Sequence, residues 1–135
     1  MHEEIQKIID HSFEYAQDLL IDTKEFYPFA ANIDTIGNVH PLEFEFDPKK
    51  MPQVGEVLDS LTKYCETEMS EGRMHAYGLC FEANLKLEEN GPIETCIGLK
   101  VKHKTERDLP DFYQVYKFDK ANHPEFGEIF GVKNK

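Results

Sequence analysis

Residues 77–103 read YGLCFEANLKLEENGPIETCIGLKVKH, and this stretch decides the fold. Apolar and polar side chains alternate from Tyr77 to Leu87 and again from Ile93 to His103. A period of two residues is that of a β-strand with one buried and one exposed face, and a helix cannot produce it. The sequence therefore predicts two antiparallel strands joined by the turn segment EENGP at 88–92.

The register of this hairpin is predicted from parity. Apolar side chains stand at odd positions in both runs, and directly paired residues share a face of the sheet. If both apolar sets face one core, paired positions sum to an even number, which favours a three-residue loop over 89–91 with its glycine at positive φ. This register pairs Leu87 with Ile93 and sets Lys86 opposite Glu94.

The remaining elements follow from periodicity. Apolar spacings of three and four predict amphipathic helices over about 3–22 and 54–69, the second ended by Gly72. Strands are predicted over 26–33, 39–46 and 112–118. The order is α-β-β-α-β-β-β, as one domain over 1–120. A tail over 121–135 has enough apolar residues to dock on the sheet, as a short helix or an extended cover.

The predicted architecture is α+β, a five-stranded antiparallel sheet with both helices on one face. Strands 1 and 5 are apolar on both sides, which favours central positions and the strand order 2-1-5-4-3. Pro28 must then sit at a bulge or near the start of its strand, because an interior proline loses a ladder hydrogen bond. This arrangement resembles that of roadblock-like and other profilin-like domains, and the resemblance implies a fold without an activity.

Composition limits the classes of partner and compartment. The 135-residue chain has a formal net charge of −11, so it lacks the clustered cations that bind nucleic acid, and it suits a basic protein partner instead. No apolar run approaches the ~20 residues of a membrane span. The acidic N-terminus and three cysteines without framework spacing favour the cytoplasm. Cys65 is expected in the core, and Cys80 and Cys96 on an exposed sheet face.

Catalytic motifs are absent from the sequence. It contains no G-x-S-x-G, phosphate-binding glycine loop, C-x-x-C or H-E-x-x-H. The six histidines never share a helical turn, so a metal site would require the fold to gather them with carboxylates. No catalytic residue, metal or cofactor is therefore assigned. His103, at the end of a strand, is interpreted as a hydrogen-bonded histidine at the rim of the core and not as a general base.

One surface is predicted to carry the function, an apolar patch on the helix-free side of the sheet. Its residues are Phe26, Pro28, Ala30, Tyr113 and Val115. An open apolar patch marks an interface, and three occupants remain possible: the tail, a second copy in a homodimer, or another protein. The sequence favours a noncatalytic interaction module of a regulatory, chaperone-like or toxin-neutralising kind. The alternative is a small-molecule binder or enzyme with a pocket beside the loops at 47–52 or 105–111.

A resemblance to other proteins rests on three short segments. They are Glu25-Phe26-Tyr27-Pro28-Phe29, the turn at Gly37, and the alternating run from Ile97 to His103. Together they resemble a pattern in small uncharacterised bacterial proteins and cover about a third of the chain. The resemblance implies a bacterial origin and no known activity.

Overall fold

The computed structural model describes residues 2–43, 49–50 and 52–133. Its elements, in chain order, are α1 (Glu3–Thr23), β1 (Phe29–Ile33), β2 (Val39–Glu43), α2 (Val54–Ser70), β3 (Ala76–Lys86), β4 (Ile93–His103), β5 (Asp111–Phe118) and β6 (Pro124–Val132). The strands form one antiparallel sheet in the order β2-β1-β3-β4-β5-β6. The α+β class and the antiparallel sheet are confirmed. The prediction of five strands in the order 2-1-5-4-3 is wrong. The resemblance to roadblock-like and profilin-like domains was based on that order and therefore has no support.

The sixth strand lies in the segment that the sequence presented as a tail. Asp119 Oδ1 accepts hydrogen bonds from the backbone N–H groups of Ala121 and His123, both at 2.9 Å, and Asn122 takes the left-handed conformation with φ 64°. These features turn the chain back, so that β6 pairs along β5. The tail therefore extends the sheet at its edge and does not cover a face of it.

The two helices lie on opposite faces of the sheet, which corrects the prediction of one shared face. Phe29, Ala31 and Ile33 belong to the core cluster of α1, whereas Ala30 belongs to that of α2. Successive strand residues point to opposite faces, so the clusters lie on either side of the sheet. We call these the α1 face and the α2 face. The apolar character of both sides of β1 reflects this double cover.

The register of the long hairpin also differs from its prediction by one residue. Lys86 pairs with Ile93 and Ala76 with His103, so paired positions sum to an odd number. The connection spans residues 87–92, closed by a hydrogen bond from Gly91 N to Glu88 O at 3.0 Å, and Gly91 does not have a positive φ. The odd positions of β3 consequently point to the α2 face and those of β4 to the α1 face. The parity rule failed because it assumed a single core.

Pro28 immediately precedes β1, a position that leaves the ladder of this interior strand intact. Neither helix in the described ranges is long and apolar enough to cross a membrane. Part of the predicted second strand, residues 44–46, and residues 47, 48 and 51 of the predicted loop lie outside the described residues.

Candidate functional site: an open apolar patch on the α2 face

Helix α2 covers only one half of its face of the sheet. Its buried residues Val57, Leu61 and Cys65 pack with Ala30 of β1 and with two residues of β3. Those residues, Tyr77 and Leu79, belong to the first part of that strand. Within the described chain, no helix lies over the α2 face from the middle of β3 to β6.

The uncovered half carries a contiguous set of apolar side chains, which we call the open patch. The ladders place Phe81, Gly98, Tyr113 and Phe130 in one row across four strands, and Ala83, Cys96 and Val115 in the next row. Leu85 of β3 extends the patch by one further row. Except for the fully buried Cys96 and Gly98, these residues are half-buried. The open patch thus consists of Phe81, Ala83, Leu85, Tyr113, Val115 and Phe130.

Gly98 forms the floor of the open patch. A Cβ at this position would come within 2.9 Å of Phe81 Cε2 and 3.2 Å of Tyr113 Cε1. The two rings therefore lie against the glycine from either side, and the Tyr113 and Phe130 ring centroids are 6.0 Å apart. Large, rigid aromatic surfaces of this kind supply much of the contact energy at protein interfaces.

Charged residues flank the open patch along the strand direction. Lys100, which pairs with Leu79, lies beyond one end of the patch and is exposed. At the other end Glu94 forms an ion pair with Lys117 at 3.4 Å, and Lys117 pairs with Glu125 across the ladder. Glu94 therefore faces Lys117 and not the predicted Lys86. Lys100 thus marks one end of the patch, where Asp111 shares the α2 face, and the other end has an excess of carboxylates.

The five residues predicted as the partner surface do not come together. Tyr113 and Val115 lie in the open patch, but Ala30 is completely buried beneath α2. Pro28 is buried, and Phe26 packs against the α1 cluster. Sequence reasoning missed Phe81, Ala83, Leu85 and Phe130 because the register assigned the first three to the core and the tail prediction hid the fourth. The two-sided apolar pattern of β1 was the available signal that both faces need cover.

A separate polar cluster lies at the N-terminus of α1, where the fold gathers three histidines around Glu4. Glu4 Oε1 is 2.8 Å from His103 Nε2, and Glu4 Oε2 is 3.1 Å from His75 Nδ1. His2 caps the helix by accepting a hydrogen bond from the Glu4 backbone N–H at 3.1 Å, and its ring centroid lies 4.3 Å from that of His103. Burial raises the pKa of Glu4, but the hydrogen bonds from His103 and His75, together with their charge, lower it below its ordinary value of 4.5.

The donor atoms of His2, Glu4 and His103 lie within 4.8 Å of one another, close enough to consider a metal ion. However, His103 Nδ1 accepts hydrogen bonds from the backbone N–H groups of Thr105 at 3.1 Å and Glu106 at 3.3 Å. Backbone N–H groups only donate, so the neutral ring carries its proton on Nε2 and donates it to Glu4. A histidine that binds metal through Nε2 needs a free electron pair there and normally donates from Nδ1. The cluster therefore fits a hydrogen-bond network better than a metal centre, and the interpretation of His103 as a satisfied rim histidine is confirmed.

The three cysteine thiols are buried and unpaired. Burial raises the pKa of the Cys65 thiol to about 12 and raises the pKa values of Cys80 and Cys96 as well. Cys65 faces the core as predicted, whereas Cys80 and Cys96 are buried on opposite faces of the sheet. A thiol held in its protonated form is a poor nucleophile.

A cleft of about 220 Å³ lies at the predicted loop pocket that follows β4. It is lined by Val101, Lys102, His103, Glu106, Arg107, Asp108 and Leu109. Both ring nitrogens of His103 are already occupied by Glu4 and by the loop backbone. The titratable ring in this cleft consequently has no free nitrogen to offer a substrate.

In three comparisons, no family model, no curated protein and no solved structure matches this chain.

Proposed function

We propose that this chain is a noncatalytic protein-interaction module and that it forms a homodimer through the open patch. The observation that carries the proposal is the incomplete cover of the α2 face, since α2 shields β1 and the start of β3 but leaves six half-buried apolar residues open. On the α1 face, by contrast, the apolar side chains of the sheet are covered by a helix of 21 residues. An apolar sheet face without such cover is typical of an interface.

The composition of the open patch supports this role. One row of the patch holds two phenylalanines and a tyrosine and the next holds smaller apolar residues, while charged residues lie at its margins: Lys100 and Glu94 along the strands, and the exposed Glu128 on β6. Interfaces share this anatomy of an aromatic, charge-depleted centre within a polar rim. The patch alone covers only some ~200–300 Å² given strand and residue spacings, whereas an interface of standard size buries ~800 Å² per partner. We therefore expect the rim to contribute as well, and the affinity to be modest.

The distribution of charge favours a second copy as the occupant. Lys100 and Glu94 lie three residues on either side of Ile97 on β4. A two-fold axis parallel to the sheet, crossing β4 at Ile97, would bring Lys100 of one copy near Glu94 of the other. Such self-complementarity is what a two-fold interface requires. The apolar centre would supply most of the affinity and the charged ends would set the orientation.

The test is the absolute mass in solution of Val115→Asp. Val115 lies at the centre of the patch, so a buried carboxylate there should convert a concentration-dependent dimer into a monomer that remains folded. Light scattering across micromolar concentrations, at low and high salt, measures the mass, and circular dichroism checks the fold. Val54→Asp is the matched control, because Val54 is 50% exposed on α2 and lies away from the patch.

A wild-type chain that stays monomeric at all concentrations would overturn the homodimer, as would a Val115→Asp variant that remains dimeric. Loss of the dimer in Val54→Asp as well would show that the effect is not specific to the patch. A dimer that dissociates in high salt would contradict an apolar centre and would assign the contact to charged residues.

We also propose a cytoplasmic location, which three unpaired thiols support. The regulatory, chaperone-like or toxin-neutralising setting belongs to the same proposal. A small-molecule function for the cleft beside His103 is the weaker candidate, because the ring nitrogens there are already hydrogen-bonded.

A further inference from the structure

We infer that the outer edge of β6 binds an extended, lysine- or arginine-bearing segment of another protein as an added strand of the sheet. This site is on the edge of the sheet and the open patch is on its face, so the two can be tested separately.

The two edges of the sheet differ in how they are protected. Edge strand β2 has five residues within the described range, and Pro41 in its middle cannot donate a backbone hydrogen bond. Edge strand β6 has nine residues, with proline only at its first position and no lysine or arginine within it. Prolines, charged side chains and β-bulges are the usual protection of an edge against pairing. On β6 these devices, which are Pro124, Glu125, Glu128 and the irregular ladder opposite Gln114 and Tyr116, all precede Ile129, so the stretch from Ile129 to Val132 carries none of them.

The backbone of β6 has one hydrogen-bonded neighbour among the described residues, which is β5. In an antiparallel strand the N–H and C=O groups of every second residue point away from the neighbour. The ladder with β5 is irregular between Gln114 and Tyr116, and there the Gln114 side chain donates to Gly127 O at 2.8 Å. Pairing is regular from Ile129 to Val132, so this part of the edge offers the best template for another strand.

Exposed apolar side chains of this part of β6 indicate that the partner segment also carries apolar side chains. Ile129 is 41% exposed and Val132 44% exposed. Their partners on β5, Gln114 and Asp111, point to opposite faces, so Ile129 lies on the α1 face and Val132 on the α2 face. An added strand with apolar side chains at alternate positions would extend an apolar row on either face.

The charges on β6 decide against a second copy at this edge and in favour of a basic partner. Glu125 and Glu128 are the only charged residues within the strand, and both are exposed. Two-fold pairing of β6 with itself, centred on the strand, would place Glu128 directly opposite Glu128 of the second copy, and like charges at such positions repel. A segment that carries lysine or arginine meets the same carboxylates with favourable charge, in a chain whose net charge is −11.

The probe is a nine-residue peptide that alternates valine and lysine, compared with the same peptide carrying glutamate in place of lysine. Binding is measured by titration calorimetry, and the site by changes in backbone amide signals in NMR spectra of the full chain. We expect the lysine peptide to bind and to shift the amides of β6, and the glutamate peptide not to bind. The Glu125→Lys, Glu128→Lys double variant should weaken the lysine peptide by about tenfold or more.

Two controls separate strand addition from general attraction to an acidic protein. The double variant Glu56→Lys, Asp59→Lys makes the same change of charge on exposed positions of α2, and it should leave binding nearly unchanged. A lysine peptide N-methylated at every backbone amide keeps its charge but cannot donate a hydrogen bond to the ladder from either of its edges, and it should lose binding. Equal binding of the methylated peptide, equal weakening by both double variants, or amide shifts outside β6 would each overturn the inference.

Discussion

At Glu4, one carboxylate ties the start of α1 to the end of β4 and to the residue before β3. We expect Glu4→Gln to lower the free energy of unfolding at neutral pH by about 1–3 kcal/mol, because His103 or His75 loses a charged acceptor in a nearly buried place. Urea unfolding followed by circular dichroism measures this difference. Glu3→Gln is the control, since the Glu3 side chain is 82% exposed and forms a surface ion pair with Lys7 at 3.8 Å.

The same variant gives a pH dependence of known sign. The pKa of Glu4 is lower in the folded chain than its ordinary value of 4.5, so its contribution to stability is fully present above that pH. As the pH falls through the lowered folded pKa, the contribution is lost. The difference between wild type and Glu4→Gln should therefore be constant near neutrality and shrink in acid. A difference that grows below pH 4.5 would contradict the network.

The residue scale also shows what sequence alone can give. The position of His103 at a strand end predicted a hydrogen-bonded histidine, and that is confirmed. Its partner could not be predicted, because Glu4 is 99 residues away and carboxylates are abundant in this chain. Local pattern indicates that a buried histidine needs a partner, and only the fold selects which one.

Among the elements, the contact of α1 with the sheet depends on a missing side chain. A Cβ at Gly78 would lie 2.6 Å from Ile8 Cγ2 and 2.9 Å from Leu99 Cδ1. Gly78→Ala should push α1 from the sheet and lower the free energy of unfolding by about 1–3 kcal/mol. Gly55→Ala, in α2 with nothing within 4 Å, should be neutral or stabilise by up to about 1 kcal/mol.

Thermal and urea unfolding of these two variants would measure the contrast. Equal effects of both substitutions would show that α1 does not approach β3 as closely as the structure has it. Ile8 is fully buried, and Ile8→Ala removes the atom that a Cβ at Gly78 would meet. The double variant Ile8→Ala, Gly78→Ala should therefore lose less free energy of unfolding than the sum of the two single variants. Additive effects of the two changes would contradict the contact between Ile8 and Gly78.

At the scale of elements, the sequence predicts correctly those helices and strands whose formation depends on one local segment. Both helices and the two long strands were predicted nearly to their ends, because their periodicity is a local property. The register of the β3–β4 pair was not predicted correctly, because it depends on which face of the sheet each strand buries. Helix α2 creates a second buried face on the side of the sheet opposite α1. Apolar side chains on both sides of β1 are typical of a strand with a helix on each face of the sheet. They are equally typical of a central strand in a sheet with helices on one face, so the sequence pattern does not separate the two arrangements.

In the whole molecule, the segment from residue 121 onward supplies the edge strand β6 (Pro124–Val132). Removing residues 121–135 should lower the free energy of unfolding by about 2 kcal/mol or more, because Phe126 packs against the α1 cluster and the edge of β5 would be opened. Unfolding of a chain ended at residue 120, compared with the full chain, measures this change. Unaltered stability after truncation would instead support the sequence-based division into a domain and a docked tail.

The overall topology was the least predictable feature. Strand order depends on which edges meet in space, and the turn that adds β6 rests on Asp119 and a left-handed Asn122, which produce no hydrophobic periodicity. The errors in strand order and in the sixth strand also affected the predicted partner surface. Tyr113 and Val115 were found because β5 was located correctly, whereas Phe130 belonged to a strand that had not been predicted.

The bond between Glu4 and His103 joins residues that are 99 positions apart in the chain, and this separation has a kinetic consequence. Contacts closed over so long a loop are expected to form after the local hairpins, on the native side of the folding barrier. Loss of the bond should then leave the folding rate nearly unchanged and accelerate unfolding. In the cell, where proteases act on opened molecules, this carboxylate would lengthen the lifetime of the native state rather than hasten its arrival.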